Sequence, residues 1–169
     1  MKKLLITLGL IVIFCQCCSN KPKEISMKVQ VKIIDKLSTY ESNARGVTLY
    51  SISIDLINNT DSTFSFWIMS CSWQDNWIFN SDSVRLYSLG CDSNFPVLKQ
   101  IPRGQKLTFI GTLQVLSPFK TEKEKFVSIG FVEIKQYEYI INSDFRSILF
   151  TKIKEGKNII WSDKFNIQE

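Results

Sequence analysis

Hydrophobic and polar residues alternate along much of this chain. Ile25, Met27, Val29, Val31 and Ile33 share one parity, with Ser26, Lys28, Gln30 and Lys32 between them. A period of two sustained this far predicts a half-buried strand. Lys36 to Gly46 is polar and reads as a loop. Val47 to Ile57 resumes the alternation through Tyr50, Ile52, Ile54 and Leu56. Val47 and Leu49 fall on the opposite parity, which predicts a bulge or a change of face near Leu49 and Tyr50. Asn58-Asn59-Thr60-Asp61-Ser62 is a turn cluster. Thr63 to Met69 follows as a strand that is apolar on both faces near its end, with Phe66 and Ile68 opposed to Trp67 and Met69.

Shorter extended pieces are predicted at Trp77 to Phe79 and Val84 to Leu89, separated by Asn80-Ser81-Asp82. The chain then runs through Pro96-Val97-Leu98 to a turn at Ile101-Pro102-Arg103-Gly104, where Pro fixes φ and Gly accepts a left-handed position. Lys106 to Leu116 is a long strand with Gly111 marking a bend or bulge inside it. Phe126 to Ile134 is another strand, with Val127, Ile129 and Phe131 on one face and Val132 and Ile134 on the other. Phe145, Ile148, Leu149 and Ile153 instead follow helical spacing, and Asn142 or Ser143 is the expected cap. A strand over Ser147 to Lys152 is the competing reading. Ile159 to Trp161 and Phe165 to Ile167 close the chain as short strands. No region repeats the helical pattern that parallel βαβ units require. The expected class is all-β, an antiparallel two-sheet sandwich of immunoglobulin-like type, with a short helix near residues 144–154.

The first residues do not share this alternation. Lys2 and Lys3 precede an apolar run from Leu4 to Phe14, interrupted only by Thr7. That run has the length of a signal-peptide core, well below the roughly twenty residues needed to cross a bilayer. Cys15, Cys17 and Cys18 follow, then the polar stretch Ser19-Asn20-Lys21-Pro22-Lys23-Glu24. This segment resembles the lipoprotein signals of Bacteroidota, in which a cysteine becomes the lipidated first residue ahead of a short polar tether. The resemblance implies lipidation at Cys18, with Cys17 as the runner-up. Ser19 after the cysteine implies the outer membrane, with the side of that membrane left open. The expected organisation is a signal peptide over 1–17, a tether over 18–24 and a β-sandwich domain over 25–169.

The charge balance adds a constraint. The 169 residues carry 21 Lys and Arg, 16 Asp and Glu, and no His, a net charge of +5. Loss of Lys2 and Lys3 with the signal leaves about +3, with no basic stripe of the kind nucleic-acid binding uses. The lack of His removes imidazole metal ligands, His-based triads and a side chain that titrates near neutrality. No metal or cofactor is expected.

Cys71 and Cys91 are the cysteines outside the N-terminal cluster. In an exported protein a structural disulfide between them is expected; two free thiols are the alternative, and no C-x-x-C spacing among the residues after the signal suggests redox chemistry. Trp73 and Trp77 lie in a polar connection near Cys71. They read either as an exposed aromatic platform for a glycan or a partner protein or as packing around the disulfide. Asp55, Asp61, Asp75, Asp82 and Asp92 mostly sit at turns, where local hydrogen bonding accounts for them. Asn58-Asn59-Thr60 matches an N-glycosylation sequon; Asp61-Ser62-Thr63 and Asp82-Ser83-Val84 are similar to O-glycosylation acceptors of exported Bacteroidota proteins.

The Asn-Asn-Thr-Asp turn, the aromatic strand after it and the Pro-Arg-Gly-Gln turn into Lys-Leu-Thr-Phe resemble the small immunoglobulin-like domains of exported bacterial proteins, Bacteroidota lipoproteins among them. The expected function is a lipid-anchored, non-catalytic binding or adaptor module of the cell envelope. Its partners are the membrane, through the N-terminal lipid, and an envelope protein or glycan. A structural subunit that recruits a strand to a sheet edge is the alternative, and an envelope hydrolase is a more distant one.

Overall fold

The computed structural model describes residues 26–37, 47–88 and 90–167. Over these the chain is a mostly antiparallel β-sheet protein with two short α-helices. In chain order the first strands are β1 (Met27–Lys36), β2 (Thr48–Asn58), β3 (Phe64–Met69), β4 (Trp77–Phe79), β5 (Val84–Tyr87) and β6 (Pro96–Ile101). They are followed by β7 (Lys106–Val115), β8 (Phe126–Val127) and β9 (Ile129–Val132). The helices α1 (Gln136–Ile141) and α2 (Phe145–Glu155) come next, and β10 (Ile159–Trp161) and β11 (Phe165–Asn166) close the described chain.

One sheet has the order β1-β2-β7-β5. Its register turns the alternation of the sequence into layers. Ile54 lies between Val31 and Phe109, and Leu56 between Val29 and Leu107. Asp55, one residue out of phase, lies between Gln30 and Thr108 on the other face. The irregularity expected near Leu49 and Tyr50 is not in β2, whose register against β7 is unbroken from Thr48 to Ile57. It is in β1, between Ile33 and Asp35, and it leaves Ile34 exposed. Leu49 and Tyr50 are both buried, so β2 is covered on both faces there. Gly111 also sits in unbroken register with Ile52, rather than at a bend. Its glycine serves a close approach: a Cβ there would meet the Trp73 ring at 3.0 Å.

The other strands gather around β9. Its partners are β10 on one side and β4 on the other. β8 and β11 form a pair just beyond Ser128 and Ser162, where Ser162 Oγ accepts a bond from the Ile129 N–H. β3 pairs with β6 and also meets the continuation of β9, through a bridge from Phe66 to Lys135 and a Trp67 N–H bond to the Ile134 carbonyl. β3 and β4 therefore follow successive stretches of one path, interrupted by residues 70–76. Asn76 fills the interruption: it is fully buried and its Nδ2 donates to the carbonyls of Trp67 and Val132.

Both sets of strands contribute to one hydrophobic cluster, which includes Ile52, Ile54, Phe66, Trp77, Ile129 and Phe131. Val132 and Ile134, on the opposite phase of the β9 path, pack in a second cluster with Phe145, Ile148 and Leu149 of α2. The helix over 144–154 is thus present. Its N-cap is Asp144, whose carboxylate accepts from the Ser147 N–H, in place of the expected Asn142 or Ser143. It ends at Gly156, which takes the left-handed conformation a C-terminal cap requires. β6 and α1 were not expected from the alternation.

Asn58 closes the turn after β2. It is fully buried, donating to the carbonyls of Ser62 and Ile101 and accepting from Thr60. With its amide enclosed in this way, the sequon at Asn58 has no accessible acceptor.

Candidate functional site

Of the expected site residues, Cys71 and Trp73 lie on the connection that separates β3 from β4, Trp77 opens β4, and Cys91 lies between β5 and β6. The expected signal peptide and tether, with Cys17 and Cys18, lie outside the described residues. After Met69 the chain leaves β3 through Ser70-Cys71-Ser72 and makes one 3-10 turn, Trp73–Asn76, before entering β4. Cys71 is joined to Cys91 by a disulfide. Asn94 holds the same junction: its Oδ1 accepts from the N–H groups of Cys71 and Ser72, and its Nδ2 donates to Ser72 Oγ. Ser72 Oγ in turn donates to Asp75 at 2.7 Å, fixing the start of the turn.

The two tryptophans do not form an exposed platform. Trp77 is only 6% exposed, packed edge-on against Phe109 at 5.4 Å and tilted against Phe131 at 5.0 Å. Trp73 is half-buried, tilted on Phe109 at 5.0 Å and seated over Gly111. The physical reason is the shortness of the connection. One 3-10 turn between two strands over the same core directs both large apolar rings inward, where each removes far more surface from water than it could on a rim.

Beside this turn lies a groove of about 530 Å³ between β4, β5 and α2. Its apolar walls include Trp77, Ile78, Val84, Leu86 and Ile153, and Asp75, Asp82 and Arg85 stand at its margin. Three buried side-chain atoms lack a hydrogen-bond partner among the described residues, and all belong to this turn and the start of β4: Gln74 Oε1, Asn76 Oδ1 and Trp77 Nε1. Gln74 and Trp77 both line the groove. An unmade bond on a buried polar atom costs about 1–3 kcal/mol. The three atoms are enclosed, so a ligand that offers both a donor and an acceptor, such as an amide or a hydroxyl, meets them only when the Gln74 or Trp77 side chain turns toward the groove. Sequence reasoning missed Gln74, since a single polar residue in a turn carries no signal in the alternation.

Two charged clusters lie elsewhere. On the outer face of the four-stranded sheet, Asp55 accepts from Lys106 Nζ and Thr108 Oγ1, both at 2.6 Å. Desolvation pushes its carboxyl up, but these two bonds and the Lys106 charge outweigh it and hold it below its ordinary value. A carboxylate held ionised this way is a poor proton carrier. Beneath the helices, Lys152 is buried and pairs with Glu138 at 2.7 Å, while the other oxygen of Glu138 accepts from the Lys135 N–H. Lys152 is four residues after Ile148, on the inward face of α2. That spacing was the available sign of its burial.

Burial pushes the nearby Glu133 carboxyl above its ordinary value, with Lys135 and Lys152 opposing and Glu138 adding to the rise. A raised carboxyl favours the folded state while protonated, so its contribution is present at acid pH and is lost as pH climbs through the folded value. Glu133→Gln is therefore expected to be more stable than the parent at pH 7, by less than about 1 kcal/mol. The difference should vanish near pH 4, and urea melts across that range read it.

Among the described residues no group of three or more His, Cys, Asp or Glu is placed to hold a metal ion. No helix among them is long and apolar enough to cross a membrane. No family model, curated protein or solved structure matches this chain.

Proposed function

We propose that this chain is a lipid-anchored, non-catalytic binding or adaptor module of the cell envelope, whose domain closes as an immunoglobulin-like sandwich. The order β1-β2-β7-β5 follows the A-B-E-D sheet of that fold, and β10-β9-β4 follows its G-F-C sheet. The anchor is Cys18, with Cys17 as the runner-up, placed after the basic and apolar signal over 1–17. The Cys71–Cys91 bond suits the oxidising compartments where disulfides persist. The observation that carries the binding reading is the cluster of unpartnered buried polar atoms at Gln74, Asn76 and Trp77 beside an apolar groove. An envelope protein or glycan offering amide or hydroxyl groups is the ligand class that fits.

The test is crosslinking and pull-down from intact envelope, with the tether kept, comparing the parent chain with Gln74→Ala. The variant is expected to lose its crosslinked partner at least about tenfold, as losing a buried ligand hydrogen bond implies, with a melting temperature no lower than the parent's. Equal capture would remove the groove from the proposal. The mass of the mature chain checks the anchor, since an unmodified first cysteine contradicts it. A second reading has one observation in its favour: β6 is paired with β3 on one side and with no strand on the other among the described residues. Crosslinks concentrated on residues 96–101 would favour strand addition there.

A further inference from the structure

We infer that the outer face of α1 rests on the surface of the lipid bilayer that holds the anchor, and this rests on the lipid-anchored reading above. α1 is short and two-sided. Its inner side is occupied: Tyr139 packs on Trp67 at 4.6 Å and on Phe145 at 6.4 Å, and Glu138 pairs with Lys152. Tyr137, Ile140 and Ile141, at the i, i+3 and i+4 positions, form the other side and are 57%, 69% and 81% exposed. Two adjacent isoleucines that exposed, with a tyrosine beside them, make an apolar face with nothing of this chain's described residues over it. Isoleucine in the acyl boundary and tyrosine at headgroup level is the arrangement interfacial helices use.

The path of the chain brings the anchor to the same end of the molecule. Val29 bridges Ser162 in parallel, so β1 and β10 run in the same direction. Going back along β1 from Val29 to Ser26 therefore follows β10 back toward Ile159. Ile159 pairs with Val132, the last residue of β9, and the Glu133 N–H bonds the Asn158 carbonyl. α1 begins three residues after Glu133. The described chain thus starts, at Ser26, on the side of the fold where β9 gives way to α1. Seven residues lie between Cys18 and Ser26, eight Cα-to-Cα steps in all. Fully extended they span at most about 28 Å, roughly the diameter of a small domain. A tether that short keeps this end of the domain at the membrane. A free-standing apolar face at the tethered end meets lipid before it meets any soluble partner.

Bromolipid quenching of a new tryptophan tests this on the lipidated chain, reconstituted in vesicles of phosphatidylethanolamine and phosphatidylglycerol with and without brominated acyl chains. Ile140→Trp, with Ile141→Trp as a second probe, reports on the α1 face. Phe126→Trp in β8, exposed at the far end of the strand path that leads to α1, is the control. Bromolipid is expected to roughly halve the emission added by a tryptophan at 140 or 141, as insertion to the acyl boundary requires. It should leave the emission added by Phe126→Trp unchanged, each value being read as the difference from the parent, whose own Trp161 is exposed beside Ser26. Equal quenching at all three positions overturns the inference. So does a blue-shifted emission at 140 without quenching, the signature of a second protein copy seated on the face. The acyl mass of the same sample separates the two claims. Acyl chains present without quenching sink the α1 contact alone, whereas a mass without acyl chains sinks the anchored reading on which it depends.

Discussion

Phe131→Ala is expected to lower the unfolding free energy by about 4 kcal/mol, the range for removing a large aromatic ring from a core. Phe131 is fully buried on β9 and meets Phe66 edge-on at 4.9 Å and Trp77 at 5.0 Å. It faces Trp77 across one strand pairing and Ile160 across the other. Its removal therefore opens a cavity where β4, β9 and β10 meet, and backbone hydrogen bonds on both sides limit how far the walls can collapse. The same truncation at Phe126 or Phe150, both exposed, should stay within about 0.5 kcal/mol of the parent. Urea titration of the three variants checks the contrast. A loss below about 1 kcal/mol for Phe131→Ala would mean that the aromatic cluster is not the organising core described above.

The second large effect is expected at the disulfide. Replacing Cys71 and Cys91 together by serine should cost about 3 kcal/mol, because the bond closes a loop of 20 residues in the unfolded chain. For a domain of this size that lowers the melting temperature by about 10 °C. Reductant should bring the parent chain to the same melting temperature and leave the serine variant unmoved. The polar contacts of Asn94 with Cys71 and Ser72 remain in the serine variant, so its fold should be retained at room temperature. Failure of reductant to shift the parent would contradict the bond.

Much of the strand content was legible because burial on one face of a sheet writes itself as a period of two. β1, β2, β4 and β7 lie within a few residues of their expected bounds, and the two faces of the Phe126–Ile134 segment are the two faces observed. Where both faces are covered, or a strand is short, the period fades. β6 carries Pro96 at its start and the exposed pair Lys99 and Gln100, so it reads as a connection although it pairs with all of β3. α1 is six residues long and presents its apolar side outward, which removes the helical signature of an inward stripe. The site was less legible. Trp73 and Trp77 follow polar neighbours, and only the close approach to Gly111 shows why the first ring turns inward. The pairing of Cys71 with Cys91 was expected from their being the cysteines outside the N-terminal cluster, and the bond is present.

The covering of β9 on both sides has a consequence for how the domain opens. Ile129 and Phe131 belong to the large cluster, whereas Val132 joins the smaller one under α2. The helices can peel away by giving up the smaller cluster alone, a sub-global event that uncovers one side of the strand and leaves its ladder intact. Release of the ladder itself demands loss of the whole fold. Two tiers of resistance to hydrogen exchange are therefore expected, a lower one in the helices and a higher one in the central strand.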